Sequence, residues 1–210
     1  KASSLARVTV DTTVQEKAIA HPTDSQLYLK ALQTLVRQAK KAGIKLRQSH
    51  TRLAKKAATQ VGRYAHARQF KRMRKALKQL KTYLGQVYRD IERKIAGDED
   101  QKGRFAHLMA LVKRLLDQQP KDKNKLYSLH APEVVCIGKG KVAKHYEFGC
   151  KVGLAATNKE GFFLAAKAFE GNPYDGHTLA ESLAACEAMT GVVVQRAYVD
   201  KGYRGHDYEG

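Results

Sequence analysis

The sequence predicts an α/β protein in which a long, very basic helical block separates one β-strand from a later group of strands. Three observations predict this class. The apolar periodicity is near 3.6 residues from about residue 21 to 120 and near 2 beyond it. Positive charge is concentrated: the 210 residues hold 39 Lys and Arg against 20 Asp and Glu, and residues 40–95 hold 18 basic residues with only Asp90 and Glu92 opposing them. Two acids, Asp11 and Asp200, each close an apolar, β-prone run at opposite ends of the chain.

The elements follow in order. Val8, Val10 and Val14, with Thr9, Thr12 and Thr13 interleaved, predict a strand over 5–14. His21-Pro22 ends the extended run, and Thr23, Asp24 and Ser25 are good helix caps. Leu27, Leu32, Leu35, Val36 and Ala39 then recur at helical spacing until Gly43, which suits the left-handed position just past a helix. A second helical region spans 49–95. Gly62 and Gly85 are its weak points, each costing ~1 kcal/mol against Ala; a break could fall near Gly62, but no Pro enforces one. A third helix covers 101–118, and Pro120 opens a polar linker. Strands are then expected over 134–137, 146–157 and 162–169, the last two joined by a turn at Asn158-Lys159-Glu160-Gly161. A loop at 172–176, a helix over 178–190 and a strand over 195–200 complete the order. The expected divisions are 1–20, 21–120 and 121–210.

Composition narrows the function. The length allows one or two domains with a real core. No run approaches the ~18 apolar residues of a membrane span, and the first residues lack the apolar stretch of a secretion signal. The odd cysteine count and the absence of a CxxC pair predict a reduced, cytoplasmic protein. Cys136, His145 and Cys150 lack the close paired spacing of a zinc site, so packing is their expected role. The basic block predicts a polyanion as partner. Arg63, Arg68, Lys71, Arg72, Arg74, Lys75 and Lys78 are candidate phosphate contacts, and Tyr64 and Phe70 are expected to pack.

The acids point to chemistry. Magnesium takes oxygen ligands and keeps several waters, so one or two carboxylates plus a substrate phosphate suffice for a site. Asp11 and Asp200 qualify if their strands are neighbours, as strands joined through a helical crossover often are. Asp175 and His177 lie in the loop before the last helix. On their residue types alone, Asp175-Gly176 suits a turn and His177 or Thr178 suits the helix cap.

Several stretches resemble one family in order. They are Val10 to Lys17, Gly62 to Lys71, Leu126 to Glu133, Gly171 to Leu179, and Tyr198 to Gly205. Together they are similar to the bacterial insertion-sequence transposases with a DDE acidic triad, most closely the fifth-numbered insertion-sequence family. The resemblance implies a ribonuclease H-like mixed sheet with the basic helical block inserted between the first and second strands. It implies Asp11 and Asp200 as catalytic acids, two Mg²⁺ ions in the complete protein, and insertion-sequence ends and target DNA as partners. A homodimer and a place in the bacterial cytoplasm at the nucleoid are also implied. Tyr203 and Arg204 match a signature expected to meet DNA phosphate near the catalytic centre, and the resemblance implies that the loop with Asp175 and His177 approaches that centre. The family's third acid is a Glu on a later helix. Asp207 and Glu209 stand too near Asp200 for that role, so the chain is expected to be a transposase fragment, cut at both ends. Two further readings remain: a nucleic-acid-binding remnant without catalysis, and an RNA-binding helical protein.

Overall fold

The computed structural model describes residues 2–138 and 145–209. These fall into two compact units, one of residues 19–132 and one that joins residues 1–18 to 133–210.

The first unit is helical. It contains α2 (Asp24–Lys41), α3 (Thr51–His66), α4 (Phe70–Ile95) and α5 (Glu99–Asp117), after the one-turn α1 (Ala2–Leu5) of the other unit. Thr23 caps α2 by accepting the Gln26 N–H, and Asp98 caps α5 by accepting the Gln101 N–H at 3.0 Å. The apolar stripes of these helices meet in one core, with Leu32, Leu35, Leu80, Leu84, Ile91, Phe105 and Leu115 fully buried. Each such leucine is worth ~2 kcal/mol by removal from water. The segment after Pro120 is not a free linker: Leu126 is fully buried in this core, and its N–H donates to Gln118 Oε1 at 2.9 Å.

The long helical region breaks at 67–69, and Gly62 lies inside α3. The break is a Schellman turn. Arg68 N–H donates to Ala65 O, Gln69 N–H donates to Tyr64 O, and Arg68 takes the left-handed conformation at φ 54°. Gly43 plays the same part after α2, at φ 71°.

The second unit is a mixed five-stranded sheet covered by α6 (Leu179–Thr190). Its strands are β1 (Arg7–Glu16), β2 (Val135–Gly138), β3 (Tyr146–Thr157), β4 (Phe163–Phe169) and β5 (Arg196–Tyr198). β3 is central: it pairs antiparallel with β1 along one edge and with β2 and β4 along the other. β5 joins the far edge of β1 in parallel. Val8, Val10 and Ala155 face Leu179, Leu183 and Cys186 of α6 and the ring of Tyr203. Gly153 lets the helix close on the sheet, since a Cβ there would meet Ser182 Oγ at 2.4 Å. No helix among the described residues is long and apolar enough to cross a membrane.

Candidate functional site

The β1–β5 register decides where the two acids stand. Arg7 pairs with Arg196, Val8 with Ala197 and Thr9 with Tyr198. The ladder ends there, so Asp11 and Asp200 each stand two residues past its last pair, and both line the same cleft. Asp11 is not at a strand end as the sequence suggests: β1 remains paired with β3 as far as Glu16. It lies instead just past the point where β5 leaves β1, and that departure opens the backbone around it.

Asp11 and Asp200 line an open cleft of about 590 Å³ with Thr12, Thr13, Lys151 and Asp175. Asp11 Oδ1 accepts the Thr12 N–H at 2.7 Å, and Asp200 Oδ1 accepts the Gly202 N–H at 2.7 Å. The second bond makes Asp200 the cap of a short 3-10 turn, Lys201–Tyr203. Gly202 is the floor between two carboxylates. A Cβ there would lie 2.8 Å from Asp200 Oδ1 and 3.2 Å from Asp175 Oδ2, so both acids face one point.

Asp175 is held differently. Its Oδ1 accepts the Thr12 hydroxyl at 2.7 Å and lies 2.5 Å from the Lys151 ammonium, which also donates to Pro173 O at 2.6 Å. Lys151 is nearly buried, so it comes with its own counter-ion. Asp175 also serves the turn, its carbonyl accepting the Thr178 hydroxyl at 2.7 Å. Both expected roles of this residue thus coincide. His177 is exposed and packs edge-on against Tyr174, with ring centroids 5.5 Å apart.

Lys151 is the cleft residue that sequence reasoning passed over. Its signal was available: it stands between Gly149 and Gly153 on the inward face of β3, where a lysine needs an acid nearby.

Tyr203 is placed in the core, 1% exposed, with no face free to meet a phosphate. Its hydroxyl has no hydrogen-bond partner. Burial is the largest cause; it outweighs the lowering effect of Thr178 and, with the smaller contributions of the Asp175, Asp11 and Asp200 charges, pushes the phenol up to about 12. Arg204 beside it is exposed.

The basic candidates cluster elsewhere, on the helical unit. Arg63, Arg68, Lys71, Arg72, Arg74, Lys75 and Lys78 are all exposed on the end of α3, the Schellman turn and the first turns of α4. Phe70, expected to pack, is 53% exposed among them. It begins α4 at the corner, away from the buried stripe that starts with Ala76. Cys136 and Cys150 are ladder residues of β2 and β3, and Cys186 of α6 is buried against the sheet. Among the described residues no group of three or more His, Cys, Asp or Glu is arranged to hold a metal ion.

A search of protein-family models gave no match, and no solved structure matched. The sequence is similar to the "Uncharacterized protein ORF8 in nfe locus" of Rhizobium meliloti, with 79% identity over 67 residues. That match spans about a third of each chain, 32% of both.

Proposed function

We propose that the sheet unit is the catalytic core, of ribonuclease H-like type, of an insertion-sequence DDE transposase, and that the helical unit holds its DNA. The observation that carries this reading is the parallel pairing of β1 with β5, which brings Asp11 and Asp200 into one cleft. The strand arrangement supports it: three antiparallel strands, β4-β3-β1, with β5 added in parallel beside β1. Counted with the short β2 as an addition to the β3 edge, Asp11 falls on the first strand of that core and Asp200 two residues past the fourth.

The donor set fits a hard cation that keeps waters. Asp11 and Asp200 offer carboxylate oxygens on exposed residues in an open cleft, whereas Asp175 is neutralised by Lys151. Magnesium bound there would polarise a phosphodiester and lower the pKa of an attacking water or 3′-hydroxyl. The chain's own residues position the pair. The Thr12 and Gly202 amides fix one oxygen of each acid, and Lys151 holds the Asp175 loop against Thr12. The exposed cations of the α3–α4 corner supply phosphate contacts independent of sequence. In this reading the full transposase acts on insertion-sequence ends in the bacterial cytoplasm as a homodimer.

The test is Mn²⁺ titration of the chain, read by paramagnetic broadening, with strand cleavage assayed on DNA carrying the cognate ends in the full protein. Broadening centred on Thr12 and Gly202, lost in Asp11→Asn and Asp200→Asn, is expected. Broadening that ignores both substitutions sinks the reading. A nucleic-acid-binding remnant without catalysis is the second reading. It is favoured by Lys151, whose ammonium occupies Asp175, the third acid of the cleft.

A further inference from the structure

The helical unit has a second basic feature, away from the α3–α4 corner. Gln86, Arg89, Asp90 and Arg93 stand at i, i+3, i+4 and i+7 on α4 and therefore share one helix face. The loop that precedes α3 brings Arg47, Gln48 and His50 to that face, and the seven residues line an open cleft of about 440 Å³.

Asp90 builds the cleft. It is buried, and its Oδ2 accepts the Arg47 N–H at 2.9 Å and the Lys94 ammonium at 2.9 Å. Lys94 also donates to Lys45 O, which ties the loop down a second time. Burial raises the Asp90 carboxyl, but the Arg47 amide, Lys94 and Arg93 outweigh it and hold the group below the usual carboxylate range. Asp90 is thus committed to the loop and to Lys94, and Arg93 approaches it only at 3.7 Å. It is the one acid that lines the cleft, and it cannot also neutralise three guanidinium groups.

One further feature favours an anion. His50, the residue before α3, also lines the cleft. His50 takes the left-handed conformation at φ 51° and stacks on Tyr83, and α3 begins with no side-chain cap and no acid in its first turn. Its unneutralised N-terminal dipole therefore adds to the field of the arginines.

We propose that this cleft is a phosphate-binding site, with Arg47, Arg89 and Arg93 as its ligands. Guanidinium groups suit phosphate oxygens because they donate in pairs. The phosphate is either that of a nucleic-acid backbone, which would give the helical unit a second anchor apart from the corner, or that of a free small phosphate compound. The site rests on the helical unit alone and stands or falls independently of the carboxylate pair.

The test titrates the isotope-labelled chain with inorganic pyrophosphate and follows backbone amides by NMR. Saturating shifts at 47–50 and 86–93 are expected, larger than those at 68–74, and weakened at least tenfold in Arg47→Gln/Arg89→Gln/Arg93→Gln. Shifts no larger than those at the 68–74 corner overturn the site. So does a triple variant that binds pyrophosphate as the natural chain does. Binding to a random-sequence DNA duplex then separates the two sources. A salt slope lower by about 1 per lost phosphate contact assigns the cleft to the backbone. An unchanged slope beside lost pyrophosphate binding assigns it to a free phosphate. Metal-dependent cleavage that fails while pyrophosphate still binds would overturn the transposase reading and leave this site standing.

Discussion

Residues 19–132 hold 27 Lys and Arg against 8 Asp and Glu, whereas residues 1–18 and 133–210 hold 12 of each. The helical unit thus carries the whole +19 of the chain, and the sheet unit is neutral. The difference is also one of placement. In the helical unit the cations stay exposed on helix faces while one acid, Asp90, is buried beneath them. In the sheet unit the order is reversed: acids open to solvent stand in a cleft, and a buried cation, Lys151, lies behind them. Each unit spends its buried charge on fixing a loop and leaves the opposite sign outside. An exposed cationic surface attracts a polyanion over a long range, and an open pair of carboxylates offers a place for a small cation.

The largest expected effect tests whether these tasks are separable. Asp11→Asn and Asp200→Asn should each lower metal-dependent cleavage by the full protein at least 1,000-fold, about 4 kcal/mol of barrier. DNA affinity, measured by fluorescence anisotropy at fixed salt, should stay within about twofold because the proposed phosphate contacts lie in the other unit. A substitution that lowers cleavage and affinity together would break the division. The converse variant replaces Arg63, Arg68, Lys71, Arg72, Arg74, Lys75 and Lys78 with Gln. Affinity should fall by about 100-fold at low salt, with a salt slope shallower by several units. Mn²⁺ broadening at Thr12 should be unchanged.

The elements themselves were largely legible in the sequence, because helix and strand periods differ and the change near Pro120 is sharp. Register was not. That Asp11 and Asp200 are separated by the same offset as the paired residues of β1 and β5 becomes meaningful only once those strands are known to pair. Asp175 could be read two ways because its backbone makes a turn while its side chain reaches Lys151, and a sequence shows only the first. The family resemblance assigns Tyr203 to DNA phosphate, whereas its ring fills the space under α6, a tertiary contact that the local sequence does not show. The α3–α4 break falls beyond Gly62. Gly62 has the lower helix propensity, but the turn uses the left-handed position of Arg68.

Buried charge gives a mid-sized prediction. Asp90→Asn should cost about 2 kcal/mol, less than a fully buried ion pair because Lys94 and Arg93 are partly in water. The sign follows from the lowered folded-state pKa. Stability from this group is present above the ordinary carboxylate pKa of about 4 and is lost as pH falls through the lower folded value. Denaturant midpoints should therefore differ between the natural chain and Asp90→Asn at pH 7 and converge in stronger acid. A gap that persists at low pH would make Asp90 a packing residue.

Arg68 yields the smallest effect and the sharpest contrast, since it belongs to both the fold and the proposed phosphate surface. A non-glycine residue at φ 54° is held there at some cost, and glycine at that position of a Schellman turn should stabilise the helical unit by about 1 kcal/mol. The same substitution removes a cation and should weaken DNA binding about twofold to threefold. Arg68→Gln separates the two effects because it discards the charge and keeps the strained backbone. If stability rises only with Gly while affinity falls equally with Gly and Gln, the strain is the cost of placing a guanidinium at the corner. If Gly leaves affinity unchanged, Arg68 is a turn residue and does not belong to the phosphate surface.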